Sequence, residues 1–157
     1  MHYPGYDSGK VLLSEGQWYP FRIHNLMQLQ DDAWYYVLVD INGLKHFMPA
    51  SYYENYGFAT GGLINCKIDR INCTGRIFLE PEHPFYKEGE IYLFDILGFA
   101  DPSDPHILIV REMNGAGIDL PLSRKEIKQL ETREKLSCLV KSIKKGKPVL
   151  EFHPIIY

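Results

Sequence analysis

The sequence predicts an all-β fold of two tandem five-stranded Greek-key barrels, each with a short helical connection. Three observations predict it. Apolar and polar residues alternate along most of the chain, as at Ile64, Cys66 and Ile68, and a strand with one buried face requires that period. Turn formers such as Asn42-Gly43, Asn72 to Gly75 and Asn114-Gly115 separate the alternating runs, which is hairpin chemistry. The halves also repeat one another. Cys138 follows Cys66 by 72 residues (138 − 66), and the same spacing relates Asn42-Gly43 to Asn114-Gly115 and Met48-Pro49 to Leu120-Pro121. Gly16, Tyr19 and Phe21 return one residue off that spacing as Gly89, Tyr92 and Phe94. Leu79-Glu80 and His83-Pro84 return as Leu150-Glu151 and His153-Pro154. An ordered series with length changes confined to loops marks a tandem repeat.

Taken in order, residues 1–10 hold too many turn formers for a regular element and, with Val11 to Leu13 as a short extension, open an N-terminal arm over 1–15, loosely held unless Tyr3 and Tyr6 dock it. The first unit spans 16–86. Gln17 to Met27 alternates as a first strand, with Tyr19, Phe21 and Ile23 on one face and Trp18, Arg22 and His24 on the other. Ala33 to Ile41 is aromatic and β-branched, as a central strand should be. Asn42-Gly43 turns the chain into Leu44 to Met48. Pro49 to Tyr56 breaks the alternation and reads as one or two helical turns, with Ser51 as N-cap and Glu54 in capping-box relation. Strands around Cys66 and from Arg76 to Glu80 complete the set.

The second unit, 89–157, repeats the scheme. Glu90 to Phe99, His106 to Met113 and Ile118 to Leu120 are its first three strands, with a turn-rich loop from Ala100 to Pro105. Leu122 to Arg133 carries the clearest helix signature, Ser123 as N-cap with Glu126 three residues on. Lys135 to Ile143 and Pro148 to Phe152 close the unit, with Pro148 at an edge or a strand start.

The chain has 157 residues with 17 Lys and Arg against 20 Asp and Glu, enough for two units of about seventy residues. This balance argues against strong nonspecific gripping of a long nucleic-acid backbone and leaves a short site open. Three cysteines, Cys66, Cys73 and Cys138, lack the spacing of a zinc site. Cys66 and Cys138 sit at equivalent apolar positions and read as small structural hydrophobes. No signal peptide or long apolar run is seen, so a cytoplasmic setting without membrane contact is expected. No nucleophile elbow or phosphate loop is present, and the expectation is a protein that is not an enzyme, with no cofactor and no metal.

The strand order and the wording Val37-Leu-Val-Asp-Ile-Asn-Gly-Leu-Lys-His46 resemble the S1-like RNA-binding domain family of the OB superfold. The resemblance covers Gly16 to Glu80 and, more faintly, Gly89 to Glu151. The wording Asn72-Cys-Thr-Gly75 and Leu79-Glu-Pro-Glu-His-Pro84 is similar to that of uncharacterised bacterial S1-like proteins. The resemblance implies two OB/S1-like barrels and RNA lying across the second and third strands, on aromatic side chains and a histidine. By position these are Tyr36 and His46, with Trp34, Trp18 and His24 as neighbours. Arg22 and Lys45 are then candidates for phosphate contact. The second unit departs from the pattern, with Ile118 where His46 would be.

Aromatic residues so placed serve equally in packing or in a protein interface. Single-stranded RNA or DNA is thus one expected partner, and a protein bound on the exposed aromatic face or a barrel edge is the other. The basic turn carrying Lys144 and Lys145 reads as a solubilising hairpin or as a backbone contact, with Arg70, Lys67 and Arg76 in the matching hairpin. His83 and His153, each before a proline, read as structural caps of the strand ends.

Overall fold

The computed structural model describes residues 10–130 and 134–154. These form two compact units that divide between Glu82 and His83. In the first, β1 (Trp18–Gln28), β2 (Trp34–Val39), β3 (Lys45–Pro49), β4 (Leu63–Ile71) and β5 (Ile77–Pro81) make one antiparallel sheet in the order β3-β2-β1-β4-β5. In the second, β6 (Ile91–Asp101), β7 (Asp104–Arg111), β8 (Gly117–Pro121), β9 (Lys135–Lys144) and β10 (Lys147–Phe152) repeat it in the order β10-β9-β6-β7-β8. The edge strands of each sheet approach one another. One sheet curls nearly to a closed barrel and the other stays open, so the expected pair of closed barrels is met only as two five-stranded antiparallel sheets.

The repeat is visible bond by bond. Gly16 N–H donates to Ile68 and Gly89 N–H to Val140, while Ala50 N–H donates to Trp34 and Leu122 N–H to His106. Both central strands carry a bulge at the same place, between Ile23 and Asn25 and between Ile96 and Gly98. Such a bulge adds twist, which a curled sheet needs. The turns at Gly43, Gly75 and Gly115 share one form, in which the glycine takes positive φ and its N–H reaches back three residues. The last turn differs. Lys145 and Gly146 both have positive φ in a two-residue loop, and the shorter loop accounts for the change in repeat spacing.

Two connecting elements separate the halves. Ser51–Tyr56 is a 3-10 helix whose N-cap is Ala50, with no side-chain cap, so the expected Ser51 capping box is absent. Tyr53 and the ring-packed Tyr56 and Phe58 hold it instead. Arg124–Leu130 is α1, and there the capping box forms: Glu126 N–H donates to Ser123 Oγ and Ser123 N–H to Glu126 Oε1. Its expected end at Arg133 lies outside the described residues. The loop expected from Ala100 to Pro105 contracts to a turn at Pro102-Ser103, because Asp101 accepts bonds from the Ser103 N–H and hydroxyl.

Each unit has its own core. Phe21, Ile23, Leu38, Met48, Cys66 and Ile68 fill the first, and Phe94, Leu108, Val110, Leu120, Leu136 and Cys138 the second. Tyr86 was expected to end the first unit but belongs to the second core. Its ring stacks on Phe94 and its hydroxyl accepts the Met113 N–H, since an aromatic ring gains more from a closed apolar pocket than from a strand end.

Of the N-terminal arm, the described part is fastened to the first unit. Val11 exchanges two hydrogen bonds with the Asn42 side chain, and Tyr19 hydroxyl receives the Ser14 N–H. Tyr3 and Tyr6 lie outside the described residues.

Candidate nucleic-acid interface

Side chains alternate across a strand, so each ladder row belongs to one face. In the first unit Phe21, Ile23, Leu38 and Met48 mark the inward face. Tyr36 lies on that side, paired with Met48, packed on the core and edge-on to Phe58 at 5.5 Å between ring centres. His46 pairs with Leu38, meets the Phe21 ring edge-on, and places Nε2 2.7 Å from Asp40 Oδ2. Its side chain is only 13% exposed. Both residues that the S1 resemblance puts against RNA therefore face the core side of their sheet. Trp34, in the same alternation, lies past the end of the core and is 52% exposed.

The outward face holds a different set. Arg22, Val39 and Lys45 form one row across β1, β2 and β3. Asn25, Val37 and Phe47 form the next, and Met27, Tyr35 and Pro49 the one after. Val37 is buried yet belongs to no core cluster, as expected of a residue under its outer-face neighbours. Phe47 is 42% exposed and lies edge-on to Tyr35 at 6.4 Å. Neither Arg22 nor Lys45 has an acidic partner among the described residues. They lie about 10 Å apart, two strand spacings, with apolar Val39 between them. Trp18, exposed and paired with Lys67, continues this face along β1. His24 is exposed at the bulge.

The electrostatics agree with an exposed cationic and aromatic surface. The hydrogen bond from Tyr35 to Asp31, 2.7 Å long, holds the phenol above its ordinary pKa and the carboxyl below its own, while the charge of Arg76 pulls Tyr35 back down. Arg76 and Arg70 also stand over the Phe78 ring, with guanidinium carbons 4.9 and 4.4 Å from its centre. Asp40 lies under the β2–β3 turn. Burial alone would raise its pKa, but His46 and the N–H groups of Leu44 and Asn42 bring it below the ordinary carboxylate value.

The other candidates lie elsewhere. Lys144 and Lys145 are exposed at the β9–β10 turn of the second unit. Cys66 and Cys138 are buried free thiols. Burial pushes Cys66 well above the usual thiol range and Cys138 up to about 12, which makes them poor nucleophiles. His83 and His153 are not a pair. Cys66 pairs with Pro81 and Cys138 with Phe152, and the next N–H groups, of Glu82 and His153, bond Asn65 and Ser137. The match for His153 is thus Glu82. His83 is buried, accepting the Phe85 and Tyr86 N–H groups on Nδ1, whereas His153 is exposed. No group of three or more His, Cys, Asp or Glu among the described residues could hold a metal ion.

Sequence reasoning missed Tyr35 and Phe47. The signal was present: Leu38 and Met48 are the obvious core residues of β2 and β3, and counting by two from either leaves Tyr35 and Phe47 outside. The chain matches no protein-family model, no curated protein and no solved structure.

Proposed function

We propose that this chain is a noncatalytic binder of single-stranded nucleic acid, RNA in particular, of the OB/S1-like type, and that it binds on the outward face of β1, β2 and β3 in the first unit. The observation that carries the reading is the juxtaposition of Phe47 and Tyr35 with Arg22 and Lys45 on one face. Bases stack on aromatic rings and cations follow the backbone, and neither requires a deep pocket. The strand order supports the OB assignment, since β1 pairs with both β2 and β4 and the edges β3 and β5 come together.

Fluorescence anisotropy with short labelled RNA and DNA oligomers tests this. The expected result is salt-sensitive binding, RNA over DNA, with a roughly micromolar dissociation constant, weakened about tenfold by Phe47→Ala and retained on His46→Gln. Absence of binding at low salt, or binding unaffected by Phe47→Ala, overturns it.

A protein-binding role has its own support in the second unit. Ile91 and Leu93 there are exposed and lie outward, two residues apart on β6, by strand alternation, and apolar residues so grouped mark protein contacts. Under that reading, Leu93→Asp abolishes partner capture and leaves RNA binding unchanged.

A further inference from the structure

We infer that Arg70 and Arg76, stacked on Phe78, form a backbone-phosphate seat that anchors the bound strand at the β5 side of the aromatic face. The inference rests on the nucleic-acid reading above and deepens it, by naming the contact that fixes where the strand lies.

The placement follows from the ladder. Ile71 pairs with Ile77 and both pack on the first core, so the adjoining pair, Arg70 and Phe78, points outward. Arg76, just before β5, shares that side, since its guanidinium stands over the same Phe78 ring. The two guanidinium carbons lie 4.4 and 4.9 Å from the same ring centre. Neither arginine has a carboxylate partner among the described residues. Two cations gathered on one ring repel each other, and an anion bridging or flanking them relieves that repulsion. Arginine suits the task because its planar fork meets phosphate oxygens while its flat face stays on the ring.

The turn is held in advance of any ligand. Asn72 Oδ1 accepts the N–H of Thr74, the hydroxyl of Thr74 and the N–H of Arg76, so the chain at Arg76 leaves the turn in a set direction. The seat also adjoins the aromatic face. Edge strands β3 and β5 approach each other, and the charge of Arg76 reaches the Tyr35 hydroxyl. Arg22 and Lys45 stand beside Val39, four residues from Tyr35 along β2, or about 13 Å. Aromatic Phe47 and Tyr35 therefore lie between two cation pairs, an order that suits stacked bases with phosphates at either end.

The fold does not demand this arrangement. Register puts Ser142 where the first unit has Arg70 and Val149 where it has Phe78, and the second hairpin closes without ring or guanidinium.

The test measures binding of the full chain to labelled oligouridylate across a salt series, for wild type and the Arg70→Gln, Arg76→Gln double variant. Loss of two phosphate contacts should weaken binding about tenfold and reduce the slope of log affinity against log salt by about 1.4. Nε–H resonances of the wild-type arginines should shift during the titration, which guards against a variant that merely misfolds. Wild-type binding with an unchanged slope in the variant overturns this inference and leaves the nucleic-acid reading standing. No wild-type binding overturns both. Equal competition by an oligoglutamate peptide of the same charge overturns the phosphate assignment, because the seat would then be a general anion surface.

Discussion

In the first unit the turn from β2 to β3 closes over Asp40; in the second, the turn from β7 to β8 closes over Glu112. The backbone bonds match: Asp40 N–H donates to Leu44 and Glu112 N–H to Ala116, with Gly43 and Gly115 returning three residues. Both carboxyls are buried. The Asp40 carboxylate accepts from Asn42 and Leu44 and faces His46, and its pKa falls. Glu112 has Ile118 in the place of His46, and burial raises its pKa despite the charge of Lys147. The difference teaches that the backbone supplies the turn in both units, while the acid adds to stability only where donors meet it.

The outward faces diverge in the same fashion. Where the first unit has Arg22, Lys45 and Phe47, the ladder of the second has Asp95, Gly117 and Asp119. Asp95 is itself paired with Lys135 at 3.6 Å. Exposed Arg111 stands where the first unit has Val39, so one scaffold presents a cationic aromatic surface in the first unit and a mixed-charge aliphatic surface in the second.

The comparison is most severely tested in the cores. Phe21→Ala and Phe94→Ala remove fully buried rings at equivalent positions, and each should cost about 3–5 kcal/mol, read by urea unfolding. Markedly unequal losses would break the equivalence of the two cores. Asp40→Ala comes next, expected to cost about 1–3 kcal/mol at neutral pH because it strands the turn N–H groups and His46. A similar penalty is expected in affinity, without loss of stability, when Phe47→Ala removes a stacking ring, about 1–3 kcal/mol per base. Asp119→Ala, at the matching position, should leave RNA binding unchanged.

Smaller effects sharpen the contrast in pH. Asp40 has a depressed pKa, so its contribution is present above the ordinary carboxylate range and is lost as pH falls through the depressed value. Glu112 has a raised pKa, so its contribution is present below the ordinary value and is lost as pH rises through the raised one. Glu112→Gln should therefore raise the melting temperature at neutral pH and confer no gain in acid. His83, lowered chiefly by burial, acts in the opposite direction within the same unit: the unfolded chain takes the proton first, and stability declines as pH drops below about 6.5. The smallest effect is that of Arg22→Gln or Lys45→Gln, each expected to reduce the salt slope of RNA binding by about 0.7.

Much of the fold was legible because strand period, turn residues and the repeat are local properties of the sequence. Tyr19, Phe21 and Ile23 face inward as alternation requires, and Ser123 with Glu126 caps the helix. The Ser51 box failed because the ring packing of Tyr53, Tyr56 and Phe58 governs that segment. The candidate site was half legible. Arg22, Lys45 and Trp18 stand on the outward face, whereas Tyr36 and His46 turn to the core side, and Tyr35 and Phe47 take the exposed positions.

By itself the sequence determined the number of units, the positions of the strands and the points where the chain reverses, since each depends on residues close together along it. Only the tertiary structure decided which alternating set of β2 met the core, that His46 would serve Asp40, and that Tyr86 would enter the second unit. The reason is physical: alternation defines two faces without naming the buried one. On a strand with aromatic residues on both sides, that choice is made by the neighbouring strands.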